Sequence, residues 1–266
     1  MRSKSRVEQY ISLEILSGIL LLIGVGLALC VSNTSLDDEY RDLVSLPISI
    51  TVGNFSLNKP LIKWVNDGLM ALFFLLLTLE AKFHFLEGEF TNKKAFLLPL
   101  MAAIGGAIIP GCAYYLLVYQ TPEYLDGWAI PIATDTAFVL GALSFFSNKV
   151  PTAARLFVVA LSIIDDIIAI VILALFYTSS LQFIPLLVAI ICLLLLAFIN
   201  SMRIGRLSLY LILGAILWIA LVEAGIHGTI AGVLLGVFIP LRATLEENNA
   251  YSPLKRLEHF LHPVVA

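Results

Sequence analysis

Three aspartates lie deep inside long apolar runs: Asp135, Asp165 and Asp166. An ionisable group near the centre of a bilayer costs at least about 2.5–3.5 kcal/mol. No lysine or arginine sits at matching depth, because Lys149 and Arg155 fall toward the end of their region. Burial and mutual repulsion each strengthen a carboxylate's hold on a proton. Asp165 and Asp166 are adjacent, so on a helix they point about 100° apart. One can then face a cavity while the other faces a neighbouring helix. Asp135 is flanked by Thr134 and Thr136 and preceded by Pro131. A proline there removes a backbone donor and clashes with the preceding turn. The threonine hydroxyls can bond the backbone groups that such a break frees.

Carboxylates, hydroxyls and helix-break carbonyls make a hard oxygen site, suited to Na⁺, Li⁺ or protons and poor for soft metals. A helix broken near Pro131 would aim uncapped backbone dipoles at the membrane midplane. If a cation and protons compete for one carboxylate pair, each expels the other, and the pair titrates as a unit. Exchange then needs only alternating access. Permanently protonated carboxylates acting as hydrogen-bond donors are the structural alternative, and it weakens when three are involved. Two enzyme readings fail on motifs. An intramembrane aspartyl protease would need a Gly-x-Gly-Asp run in a second span, which is absent. A prenyl-transferring enzyme would need a second aspartate-rich run, and Asp37-Asp38-Glu39 falls on the wrong side for that task. The residues therefore point to ion transport with no cofactor, at a site suited to Na⁺, Li⁺ or protons.

The elements that must position these groups are hydrophobic helices. Hydrophobic residues make up 60% of the 266 and charged residues only 13%, too few to cover a soluble domain. Eight segments, roughly 11–30, 61–80, 95–118, 128–147 (interrupted), 152–177, 181–199, 207–223 and 227–240, are apolar. Most are long enough to cross a hydrocarbon layer as helix. They predict one all-α membrane domain over residues 1–266, a polytopic transmembrane bundle. The first segment follows Arg2, Lys4 and Arg6 as a signal peptide would, but so many later spans make it a retained helix. Counting alternate connections puts 13 of the 16 basic residues on one side and Arg41, Lys59 and Lys63 on the other. The positive-inside rule then sets the N-terminus in the cytoplasm.

Residues 31–60 carry Asp37, Asp38, Glu39 and Asp42, then a partly alternating run around Gly53-Asn54. This predicts a small extracytoplasmic β-hairpin, one that must lie on other loops or on a partner subunit because two strands alone are marginal. The eighth segment is short, about 20 Å for thirteen helical residues, against a hydrocarbon core of about 30 Å. Its Gly228, Gly232 and Gly236, spaced four apart, allow close approach of a neighbouring helix. Cys30, Cys112 and Cys192 read as apolar fillers.

Several runs together resemble the bacterial Na⁺/H⁺ antiporter NhaA family. They are Leu69-Met70-Ala71-Leu72-Phe73-Phe74-Leu75-Leu76-Leu77-Thr78-Leu79-Glu80, Gly127-Trp128-Ala129-Ile130-Pro131-Ile132-Ala133-Thr134-Asp135 and Ala160-Leu161-Ser162-Ile163-Ile164-Asp165-Asp166. Gly225-Ile226-His227-Gly228-Thr229-Ile230-Ala231-Gly232-Val233 and Arg256-Leu257-Glu258-His259-Phe260-Leu261-His262-Pro263 complete the set. The resemblance implies an electrogenic exchanger of the bacterial inner membrane. It would expel Na⁺ or Li⁺ against inward protons, serve pH homeostasis and be regulated by pH. It implies that Asp165 and Asp166 bind the ion and carry the protons, and that Thr134 and Asp135 lie at a crossing of broken helices. Glu80, His227, Glu258, His259 and His262 match positions tied to activation at alkaline pH. A homodimer through the 45–58 hairpin is a further expectation, and nucleic acid is not an expected partner.

The chain departs from the family pattern in two places. Ala81-Lys82-Phe83-His84-Phe85 follows Glu80 where a basic pair and a Glu are usual, and Val264 stands where Trp is common. The sequence as given ends at Ala266, where the family's ninth of twelve spans would begin. It therefore matches the first eight spans and lacks the lysine and second broken helix of the later ones. The expectation on that basis is a C-terminally incomplete fold. The alternative to an antiporter is a truncated, non-transporting fragment of one.

Overall fold

The computed structural model describes residues 6–53, 55–88, 93–132, 139, 143, 150–177, 181–243 and 252–265. Helix α1 (Arg6–Ser32) is followed by α2 (Asp37–Ser45) and by strands β1 (Pro47–Val52) and β2 (Phe55–Pro60). Helix α3 runs over Leu61–Leu86 with a π-helical turn at Val65–Leu69. Helix α4 (Lys93–Val118) leads to a 3-10 helix (Pro122–Ile132). Then come α5 (Thr152–Phe176), α6 (Phe183–Ser201), α7 (Leu207–Glu223), α8 (Thr229–Phe238) and α9 (Pro253–Val265). Among the described residues the protein is an all-α membrane bundle carrying one small antiparallel hairpin.

Four described helices are long and apolar enough to cross a membrane: Leu61–Leu86, Phe96–Val118, Phe157–Phe176 and Phe183–Ser201. Their outer faces explain why. Leu116, Leu117, Phe183 and Ile184 all stand exposed, an arrangement that lipid stabilises and water does not. Gly18–Ser32 and Asp37–Ser45 together pass the same test but meet at a bend of 114°. Asp37, Asp38 and Glu39 fill the first turn of α2, where the helix dipole favours anions.

Contacts divide the chain into two compact units. One comprises Met1–Gly18, Leu79–Ser180 and Ala266, and the other Ile19–Thr78 and Leu181–Val265. In the first, α4 packs against α5 and the 3-10 helix. Gly111 of α4 lets Ile132 and Trp128 of the 3-10 helix come close, since a Cβ there would meet Ile132 Cδ1 at 3.1 Å.

In the second unit, α6 pairs with α7, and α8 packs on both. The hairpin pairs Pro47 with Pro60 through Val52 with Phe55, and Gly53 holds φ +59 at its turn, which glycine adopts without a Cβ clash. Trp64 Nε1 donates to the Ile48 carbonyl at 3.2 Å, tying the strands to α3.

The expected glycine stripe is a packing seam. A Cβ on Gly228 would meet the Asp67 carbonyl oxygen at 2.6 Å, one on Gly232 would strike the Ala71 carbonyl, and one on Gly236 would meet Thr78 Cβ at 2.8 Å. Helix α8 thus lies along α3 for its whole length. Helix α9 starts at Ser252-Pro253, with Ser252 Oγ accepting the Lys255 N–H at 3.2 Å. That is a serine N-cap with proline in the first helical position. Pro253, Leu254, Leu257 and Leu261 form its buried stripe.

A candidate ion site at the centre of α5

Asp165 and Asp166 lie on α5, about 14 Å from either end of Phe157–Phe176 at about 1.5 Å per residue. Ionisable side chains are thus held at mid-height in one of the most apolar helices of the chain. The helix forms there because Ile, Leu, Val and Ala dominate its sequence. Pro151 precedes its first residue, and Tyr177 closes it with a backbone bond to Leu173 at 3.1 Å.

The two carboxylates occupy different environments. Asp166 is only 7% exposed and shares a buried stripe with Ser162, Ile163 and Ile170. Asp165 is half-buried. At about 100° per residue it falls on the side of α5 that carries Ile168, Ile172 and Phe176. Those three side chains line a cavity of about 900 Å³ shared with α4 and the 3-10 helix. One carboxylate therefore faces packed protein while its neighbour lies a turn below a cavity, the division expected from adjacent helical positions. Ser162 is 2% exposed, one turn before both aspartates. It was not singled out from the sequence, although a hydroxyl three and four residues before a carboxylate pair was a readable signal.

The cavity has an aromatic and polar frame. Trp128 meets Phe176 edge-on, with ring centroids 5.2 Å apart. Tyr114 Oη donates to the Tyr124 carbonyl at 2.9 Å, and Tyr177 Oη donates to the Asp126 carbonyl. Pro131 lies near the end of the 3-10 helix and is exposed, next to buried Ile132. The tighter 3-10 winding is a local way to accommodate a residue that cannot donate to the helical ladder. Thr134 and Asp135 lie outside the described residues.

The residues expected to respond to pH fall in three places. Glu258, His259 and His262 share α9, and Glu80 is half-buried on the Leu79–Leu86 end of α3. Burial pushes the Glu258 carboxyl above its usual 4.5, opposed by the positive charges of Lys255 and His259. Burial pulls His262 below its usual 6.5, and His259 adds to that by like-charge repulsion. His227 immediately precedes Gly228, the residue before α8, and its Nδ1 is buried with no hydrogen-bond partner among the described residues.

One further carboxylate carried no role in the sequence reading. Asp67, in the π turn of α3, accepts the Gly228 N–H on Oδ1 at 3.0 Å, while its carbonyl accepts from Trp218 Nε1. Nothing local in the sequence marks a partner so distant.

The profile of the family described as Na⁺/H⁺ antiporter 1 matches residues 8–266. A Na⁺/H⁺ antiporter NhaA of Tolumonas auensis is 44% identical over 258 residues, covering 97% of this chain and 64% of the relative. One from Pseudomonas fluorescens is 44% identical over 266 residues, covering 100% of this chain and 67% of its own length. One from Salmonella typhimurium is 42% identical over 261 residues, 98% of this chain and 66% of the relative. The chain spans about two thirds of the length of these curated relatives. With a family profile matching nearly every residue and identity above 40% over nearly the whole chain, this chain belongs to the Na⁺/H⁺ antiporter NhaA family.

Proposed function

We propose that this protein exchanges Na⁺ or Li⁺ for protons across the bacterial inner membrane, with Asp165 and Asp166 as the ion-binding and proton-carrying pair. The observation that supports this most is the adjacent carboxylate pair at mid-height of α5, with Asp166 buried and Asp165 toward a cavity-lining face, in a chain of this family. An anionic pair in a poorly solvated site favours either protons or a hard cation. Binding one releases the other, so coupling follows from shared occupancy. Asp135 and Thr134, with Pro131, take the supporting role of balancing charge near a helix break.

Regulation by pH is assigned to Glu80, His227, Glu258, His259 and His262. Half-buried groups on the amphipathic α9 convert a change of proton concentration into a change of charge on a docked helix. The N-terminus is placed in the cytoplasm on the basic-residue bias, and a homodimer is placed through the 45–58 hairpin.

The test is Na⁺-induced recovery of a ΔpH-sensitive dye in everted vesicles carrying the protein. A sodium- and lithium-dependent signal that disappears in Asp165→Asn and Asp166→Asn is expected. A signal that survives both substitutions removes this pair from the mechanism.

A further inference from the structure

We infer that Asp67 is a positioning residue that caps α8 from the neighbouring α3, acting as a hydrogen-bond acceptor and not as a third ion- or proton-carrying carboxylate. Asp67 lies about 9 Å into Leu61–Leu86 at about 1.5 Å per residue, so its depth alone would mark it as a functional membrane acid. Its contacts assign a different task. Oδ1 accepts the backbone N–H of Gly228 at 3.0 Å, and Gly228 is the N-cap position of α8 with no side-chain cap of its own. A helix start leaves several N–H groups without partners and favours a negative group beside them. Asp67 supplies the acceptor oxygen from another helix.

The surrounding geometry makes this junction specific. The π turn Val65–Leu69 shifts the backbone ladder at Asp67, and the Asp67 carbonyl takes the Trp218 indole N–H. Three helices therefore meet on one residue: α3 through its backbone, α7 through Trp218 and α8 through Gly228. A side chain at 228 could not be accommodated, because its Cβ would lie 2.6 Å from both the Asp67 carbonyl oxygen and Trp218 Nε1. From that point α8 follows α3 past Ala71 to Thr78. Asp67 is the polar end of an otherwise apolar seam, and it fixes where the seam starts. A shift by one residue would bring the bulkier Thr229 and Val233 against backbone that only glycine can approach.

An acceptor oxygen is all this role requires, and asparagine keeps one. Asp67→Asn, Asp67→Ala and the parent are compared by thermal midpoint in detergent and amide hydrogen exchange across 228–232. Dye recovery in everted vesicles is measured in parallel. Asp67→Asn is expected to keep the parent midpoint and exchange Na⁺ within twofold of it. Asp67→Ala is expected to lower the midpoint and speed amide exchange at 228–232 at least tenfold, or to fail to accumulate while Asp67→Asn accumulates normally. If Asp67→Asn abolishes transport at an unchanged midpoint, the carboxylate carries charge and the inference is wrong. Unchanged amide exchange in Asp67→Ala also overturns it. The midpoint and amide readouts do not depend on the assignment of cargo to Asp165 and Asp166.

Discussion

Gly232 of α8 stands so close to Ala71 of α3 that a Cβ on the glycine would collide with the alanine carbonyl oxygen. A backbone oxygen cannot swing aside as a side chain can. Gly232→Ala should therefore destabilise the protein by about 1–3 kcal/mol, the usual cost of overpacking. Gly24 is a control within another apolar helix, since a Cβ there meets nothing within 4 Å. Gly24→Ala should leave stability unchanged or raise it by up to about 1 kcal/mol through helix propensity. Melting midpoints of the two purified variants decide the matter, and equal midpoints would contradict the seam.

Asp165→Asn and Asp166→Asn should each reduce Na⁺-dependent dye recovery to background. Neither amide can release a proton or supply a full negative charge. Asp135→Asn should retain measurable exchange, because that residue is assigned to balancing dipoles. Vesicles with full activity in Asp166→Asn would dismiss the shared-site mechanism.

Glu258 offers a pH test on α9. Its carboxyl titrates above the usual 4.5, raised first by burial. A group whose proton affinity rises on folding stabilises the folded form while protonated and loses that contribution as pH climbs through its raised midpoint. His262 runs the other way: its lowered value means that docking is complete above the ordinary histidine range and weakens as pH falls. Cysteine labelling at the exposed Phe260 position should therefore increase in the parent as pH climbs through the raised Glu258 midpoint. Glu258→Gln should flatten that rise, and a rise of equal size in both proteins would rule Glu258 out as its source.

The basic-residue bias makes a topological prediction. Ser45 ends α2 and is exposed, and Ser201 ends α6 and is also exposed. In whole cells an impermeant thiol reagent should label Ser45→Cys and spare Ser201→Cys. The reverse pattern would invert the orientation.

Much of this architecture is written in local sequence. Apolar runs of sufficient length become helices wherever lipid replaces water, since an unpaired backbone group cannot remain in hydrocarbon. The hairpin follows from partial alternation around Gly53, a position whose positive φ suits glycine. Asp165 and Asp166 announce themselves because two charges in a run of Ile, Leu and Ala have no local explanation. Their divergence in direction is also local, fixed by the 100° step of a helix.

What the sequence alone determined, then, was which segments leave water and which residues are too costly to be there without a task. Only the tertiary structure decided which neighbour each helix meets. Hydropathy ranks residues by their preference for lipid, but lipid and a packed helix are nearly equivalent apolar surroundings. It therefore could not say that Asp166 is the buried member of its pair, nor that the glycine stripe of α8 lies on α3. It also could not join Asp67 to Gly228, 161 positions away. A hydrogen bond of that kind depends on two backbones coming within about 3 Å, a distance set by the shapes of both helices and recorded in neither segment by itself.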